Sequence, residues 1–293
     1  MKKESLSLGI FYMMASATSL SFIALFAQLG LRTLSLESVL FWRFFCGFLF
    51  SWILLKILKE KTRFNLKLVQ RNLLRAIFVL GSQYSFFFYI ERNSLLNATA
   101  LLNTGPLFIP LLGWIIFHQK INNATWIGLS ICFIGVLCIL QPESSLFTLG
   151  SLIGLLAGLC QAISQTLFGA QTKEDHPLLN ICYLFFFCMI GALTPYLCLE
   201  SHWIPAKDFV LADIGLLVLL GITSICNQLF RASAYRQSTP SKLAAFLYFS
   251  VLFSGLIDWF VLKKSLNFLS VLGAFFIIGG GSLKTFFLFK KIK

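Results

Sequence analysis

Residues Asn97–Leu140 read NATALLNTGPLFIPLLGWIIFHQKINNATWIGLSICFIGVLCIL, and Lys120 is the one formal charge in these 44 residues. Two apolar runs flank the short polar connector His118–Asn123. Each approaches the roughly 20 residues a helix needs to cross the hydrocarbon core of a bilayer. The apolar residues are continuous rather than alternating, which is the pattern of helices and not of barrel strands. The same pattern recurs along the chain of 293 residues, and ten segments qualify: 6–29, 37–58, 72–90, 94–117, 123–140, 148–170, 178–199, 211–234, 240–262 and 266–288. The expected fold class is an all-α membrane protein with ten transmembrane helices.

Composition agrees. Of all residues 58% are hydrophobic and 12% charged, with 33 Phe, whereas a soluble domain carries about 25% charged residues. The formal charge of +13 does not point to nucleic acid. The basic residues sit in connectors, with no basic groove interleaved with aromatics. Their placement sets orientation instead. With the N-terminus in the cytoplasm, 18 Lys and Arg fall inside and 5 outside, Arg43 lying within a span. The expectation is a multi-pass protein of the cell inner membrane with both termini cytoplasmic. The N-terminal stretch, with Ala15-Ser16-Ala17 as a small-residue site, reads as an uncleaved first helix because apolar sequence continues to Leu29.

The eight cysteines lie in apolar segments with no CxxC pair, and His118, His176 and His202 are dispersed in connectors. No disulfide framework, metal site or cofactor is expected.

The chain repeats itself. An ungapped offset of 145 aligns Trp114 with Trp259, Asn122 with Asn267, Gly128 with Gly273 and Gly135 with Gly280. It also pairs Gln83 with Gln228, Ser19 with Ser164, Ala17 with Ala162 and Gly9 with Gly154. Two units follow, 6–140 and 148–288, of five spans each. Because five is odd, the second enters the membrane upside down. Inverted repeats of this kind characterise secondary transporters, whose substrate site lies near the midplane between the repeats.

With Phe41-Trp42-Arg43-Phe44 in the second span, Asn97–Trp114 across the fourth, and Trp126-Ile127-Gly128 through Gly135-Val136 in the fifth, the chain resembles the drug/metabolite transporter superfamily, specifically its EamA-type members. The resemblance covers nearly the whole chain and implies export or exchange of metabolites such as amino acids, nucleotide sugars and drugs, or uptake of S-adenosylmethionine. The chain departs from the family where Gln119 and Lys264 replace the usual acid after spans four and nine. It departs again where Phe249-Ser250-Val251 replaces a proline.

Arg43 stands out as a charge about 9 Å inside its span. Such a charge either faces a partner or a watery cavity, or snorkels and ties helices together. In the first case it would recognise a carboxylate, phosphate or other anionic group. Gln83 and Gln228, related by the repeat, can hydrogen-bond a solute at little desolvation cost or bond helix to helix. Tyr84, Asn103, Thr104, Gln161 and Tyr248 complete the substrate-binding set, with Ser164, Gln165 and Asn227 beside them. Arg75 and Arg231 are expected to anchor to headgroups, and Asp258 and Glu91 to lie at the interface. No acid lies deep in the first span, which argues against a proton-coupled exporter of cationic drugs.

The expected function is secondary transport of a small polar metabolite, an amino acid, nucleotide-like or S-adenosylmethionine-like solute. A flippase of lipid-linked substrates or a drug exporter is the alternative. A membrane-embedded enzyme would need a clustered catalytic set that the sequence lacks. Expected partners are the solute and the bilayer, with a homodimer as an option and no nucleic acid.

Overall fold

The computed structural model describes residues 5–59, 66–90, 95–141, 150–198, 211–260, 263 and 268–290. Among them the chain is helical with no strand. The helices are α1 (Leu6–Gly30), α2 (Leu36–Ile57), α3 (Leu66–Ile90), α4 (Leu95–Leu102), α5 (Gly105–Phe117), α6 (Asn123–Leu140), α7 (Ser151–Glu174), α8 (Pro177–Cys198), α9 (Leu211–Gln237), α10 (Pro240–Leu243), α11 (Phe249–Phe260) and α12 (Phe268–Lys290). A 3₁₀ turn, Ala244–Tyr248, joins α10 to α11. Eight segments are long and apolar enough to cross a membrane, and Phe268–Ser282 is a shorter apolar helix. Large apolar side chains such as Phe11, Ile57, Trp114 and Phe268 stand exposed around the bundle, which suits lipid contact.

The helices depart from the expected spans in several places. The segment 94–117 is interrupted at Asn103–Thr104, between α4 and α5. Pro106, in the first turn of α5, has no N–H to continue the ladder and its ring crowds the carbonyl four residues back. The segment 240–262 is likewise interrupted, by the 3₁₀ turn whose five residues are all buried. Finally, α3 begins six residues earlier than hydropathy suggests and α9 runs on to Gln237. Six residues are about 9 Å of helix, so Arg75 lies well inside α3.

Packing runs between elements distant in sequence: α1 on α9, α3 on α7, α2 on α8, and α6 on α12. The largest core cluster includes Met13, Phe44, Leu129, Phe168, Tyr235, Tyr248 and Ile277. The α6–α12 contact is set by glycine. A Cβ on Gly135 would lie 2.6 Å from the Gly273 carbonyl oxygen, and one on Gly280 would lie 2.7 Å from that of Gly128. Between these two close approaches the Cys132 thiol donates to the Ile277 carbonyl at 3.4 Å. Small residues that let backbones meet are the usual means of packing membrane helices, where lipid supplies no hydrophobic drive between them.

Side-chain ties close both ends of the bundle. Arg71 of α3 pairs with Glu174, and its guanidinium is 3.8 Å from Asp175. The helix α10 lies against Gly113 of α5 and Gly169 of α7, and Ser241 donates to Gln119 at 3.1 Å. At the opposite end Thr33 donates to Asp213 at 2.8 Å. The Arg71 pair is about half exposed on both sides, where water screens it. Arg71→Ala is therefore expected to lower stability by less than about 1 kcal/mol, read by thermal melting. A larger loss would mean that this pair carries the α3–α7 contact.

Candidate functional site

The core of the bundle holds three arginines: Arg43 on α2, Arg75 on α3 and Arg231 on α9. Arg75 is 1% and Arg231 4% exposed, and Arg43 is half-buried. Arg231 lies close enough for its charge to act on both of the others, and the buried thiol of Cys188 lies within electrostatic range of Arg43 and Arg75. This burial corrects the expectation that Arg75 and Arg231 reach the headgroups. Residues on both sides of each extend its helix, so neither side chain stands at a helix end.

Each guanidinium is held by neutral groups. The Arg75 Nη2 donates to Gln228 Oε1 at 2.8 Å, and its carbon stands 3.5 Å from the centroid of the Phe168 ring. Such stacking on an aromatic face is worth about 0.5–2 kcal/mol, most when dry. Arg231 Nε donates to Ser16 Oγ at 3.3 Å, and Arg43 Nε to Ser224 Oγ at 3.2 Å. Asn227 steadies Ser16, donating to its carbonyl at 2.7 Å and contacting its hydroxyl at 3.1 Å. Tyr235 lies edge-on to Phe168 and donates to Gln165 at 3.1 Å. Several donors stay unused: Nε and Nη1 of Arg75 and Nη2 of Arg231 are buried without a hydrogen-bond partner. The groups come from α1, α2 and α3 on one side and α7, α8 and α9 on the other.

Two interrupted helices pack on α7 and α1, which contribute Phe168 and Ser16 to this cluster. At the α4–α5 break a Cβ on Gly105 would lie 3.0 Å from the Gly158 carbonyl oxygen of α7. At the start of α11 the Ser250 carbonyl accepts a 2.8 Å hydrogen bond from Ser21 of α1. A cleft of about 230 Å³ beside α10 has Thr166, Lys173, Glu174 and Pro240 in its lining and none of the three arginines.

A charge inside a bundle of membrane-length helices is costly and as a rule faces a partner or a water-filled cavity. The description of the EamA-like transporter family matches residues 7–141 and again 148–284. The chain belongs to this family. Over 204 residues this EamA-like protein is 24% identical to the pseudopaline exporter of Pseudomonas aeruginosa, covering 68% of this chain and 70% of the exporter. It is 23% identical over 252 residues to the S-adenosylmethionine uptake transporter of Rickettsia prowazekii, with 85% and 82% covered. A solved structure 13% identical in sequence superposes with a TM-score of 0.80 over 98% of this chain and 99% of its own, which establishes the fold.

In this EamA-like chain the residues singled out by sequence fall into three groups. Arg43 and Gln228 belong to the arginine cluster. Asn103 and Thr104 mark the α4–α5 break, where their side chains bond back to Thr99 and Leu101. Tyr248 closes the other interruption, fully buried with its hydroxyl unpartnered and its ring 6.2 Å from Phe133. The rest stand apart. Gln83 and Gln161 are half-buried and make no side-chain hydrogen bond among the described residues. Tyr84 is 37% exposed and donates to the Gly191 carbonyl at 3.0 Å. Glu91 and the side chain of Asp258 lie outside the described residues, as does Lys264. Sequence reasoning assigned Arg75 and Arg231 to the headgroups and did not include Ser16, Phe168 or Tyr235 in the site. Arg75, between Leu74 and Ala76, and Arg231, between Phe230 and Ala232, carried the one available signal, a cation with apolar neighbours on both sides.

Proposed function

We propose that this protein is a secondary transporter that moves a small polar metabolite across the inner membrane by alternating access. The observation that carries the proposal is the cluster of Arg43, Arg75, Arg231 and Gln228, set inside the bundle with Arg75 and Arg231 buried and built from helices of both matched halves. A charge is kept there at high cost unless it lines a solute path or meets a partner. Relatives whose names specify uptake of S-adenosylmethionine, transport of riboflavin and export of pseudopaline support a soluble organic cargo.

The proposed frame is ten spans in two inverted five-helix repeats, with α3 and α12 completing the eight more apolar segments. The 145-residue offset supports it. It carries the Gly128–Gly280 approach onto Gly273–Gly135, places Cys132 on its own partner Ile277, and turns the α1–α9 contact into α7–α3. The same offset carries the Asn103–Thr104 interruption onto Tyr248–Phe249. Paired interruptions at corresponding positions mark the solute site in carriers of this design. The basic residues, concentrated on the side of both termini, support a cytoplasmic location for those termini.

Purified protein in liposomes tests the proposal in a competition uptake assay across amino acids, nucleotides, S-adenosylmethionine and cationic drugs. Saturable uptake of one class is expected, at least tenfold slower in Arg43→Ala. No saturable transport of any class by folded protein would overturn the carrier reading in favour of a flippase.

A further inference from the structure

Among the described residues the three core arginines, Arg75 and Arg231 buried and Arg43 half-buried, have no counter-charge. The carboxylates whose side chains are described are those of Glu37, Glu174, Asp175 and Asp213, all near helix ends. The ion pairs formed there involve Arg71 and neither Arg43, Arg75 nor Arg231. A guanidinium cannot shed its proton to escape burial, as a lysine or histidine can. Neutral partners such as Gln228, Ser16 and Ser224 satisfy single N–H groups but leave the charge uncompensated, and a desolvated charge without a counter-charge is costly. The unused donors sharpen the point. Two nitrogens of Arg75, Nε and Nη1, and one of Arg231, Nη2, are sealed from solvent with no hydrogen-bond partner.

We infer that the cluster is an anion site, and that the transported solute carries at least two negative charges, as a phosphate ester or polycarboxylate does. Arg75 and Arg231 receive the anionic groups through Nε, Nη1 and Nη2, while Gln228, Ser16 and the Phe168 ring hold the guanidiniums in place. Guanidinium N–H groups match carboxylate and phosphate oxygens in geometry as well as charge. The same field repels cationic solutes. The inference rests on the transport reading only for the fate of the bound anion; binding stands or falls separately.

The test is thermal melting of the purified full-length protein in neutral detergent at matched ionic strength. The probes are inorganic phosphate, citrate, L-malate and adenosine monophosphate, with spermidine and S-adenosylmethionine as cations and dihexanoyl phosphatidic acid as a lipid headgroup. At least one soluble anion is expected to raise the midpoint saturably, by about 5 °C at a hundredfold excess over its Kd. Arg75→Gln should abolish that shift and Arg71→Gln should keep it. Arg231→Lys, which retains charge but loses Nη2, covers the case in which Arg75→Gln does not fold, and should weaken the anion at least tenfold. Stabilisation by cations alone, by the lipid alone, by no probe, or equally in wild type and the Arg75 and Arg231 variants overturns the assignment. Anion binding without uptake in liposomes would leave this site standing and sink the transport reading instead.

Discussion

Gln228→Leu is expected to reduce transport at least tenfold and to destabilise the fold by about 2–3 kcal/mol, although it replaces a polar side chain with an apolar one in an apolar bundle. Gln228 is the hydrogen-bond acceptor for Arg75 at 2.8 Å, and its loss strands a guanidinium that already has two donors without partners. Removing one partner of a buried charged group costs more than the bond was worth, because the desolvated charge remains. The double variant Arg75→Leu with Gln228→Leu separates stability from function. With the charge gone the fold should recover most of the lost stability, while transport stays abolished. Thermal melting and uptake in liposomes read the two quantities side by side. If the double variant is less stable than Gln228→Leu alone, the buried charge is not the source of the defect.

Gly135→Leu is expected to separate α6 from α12, with a loss of about 3 kcal/mol or failure to yield monodisperse protein. The atom a Cβ would meet is a backbone oxygen at 2.6 Å, with Ile277 Cγ1 and Phe276 Cβ both at 2.9 Å. A flexible side chain could swing away, but a helix backbone yields only by moving the whole helix. Overpacking against such a neighbour therefore falls at or above the usual cost of about 1–3 kcal/mol. Gly279→Leu is the control. It changes the same residue type on α12, next to Gly280, but a Cβ there has nothing within 4 Å, so its expected effect is within about 0.5 kcal/mol. Similar melting of the two variants would show that the glycines are not what brings these helices together.

The sequence by itself determined that this is a multi-pass helical protein of the membrane. Continuous apolar runs near 20 residues admit no other solution where water is absent, since the backbone must satisfy its own hydrogen bonds. The sequence also pointed to the places where the chain is interrupted or closely packed. Pro106 marks the α4–α5 break, and the glycines aligned by the 145 offset are the ones that meet across α6 and α12. It singled out Arg43 because an isolated charge in an apolar run is conspicuous. Arg75 and Arg231 were not legible in the same way. Each lies near a run of polar residues, and hydropathy ends a span where the polar run starts, although the helix continues through it. Only the tertiary structure decided their role. Burial depends on what covers a residue, and the covering groups here, Phe168, Ser16 and Gln228, come from α7, α1 and α9. They are up to 215 residues away in sequence. No local pattern encodes a contact at that separation, and the convergence of three cations, with no acid paired to them among the described residues, exists only once the helices are packed.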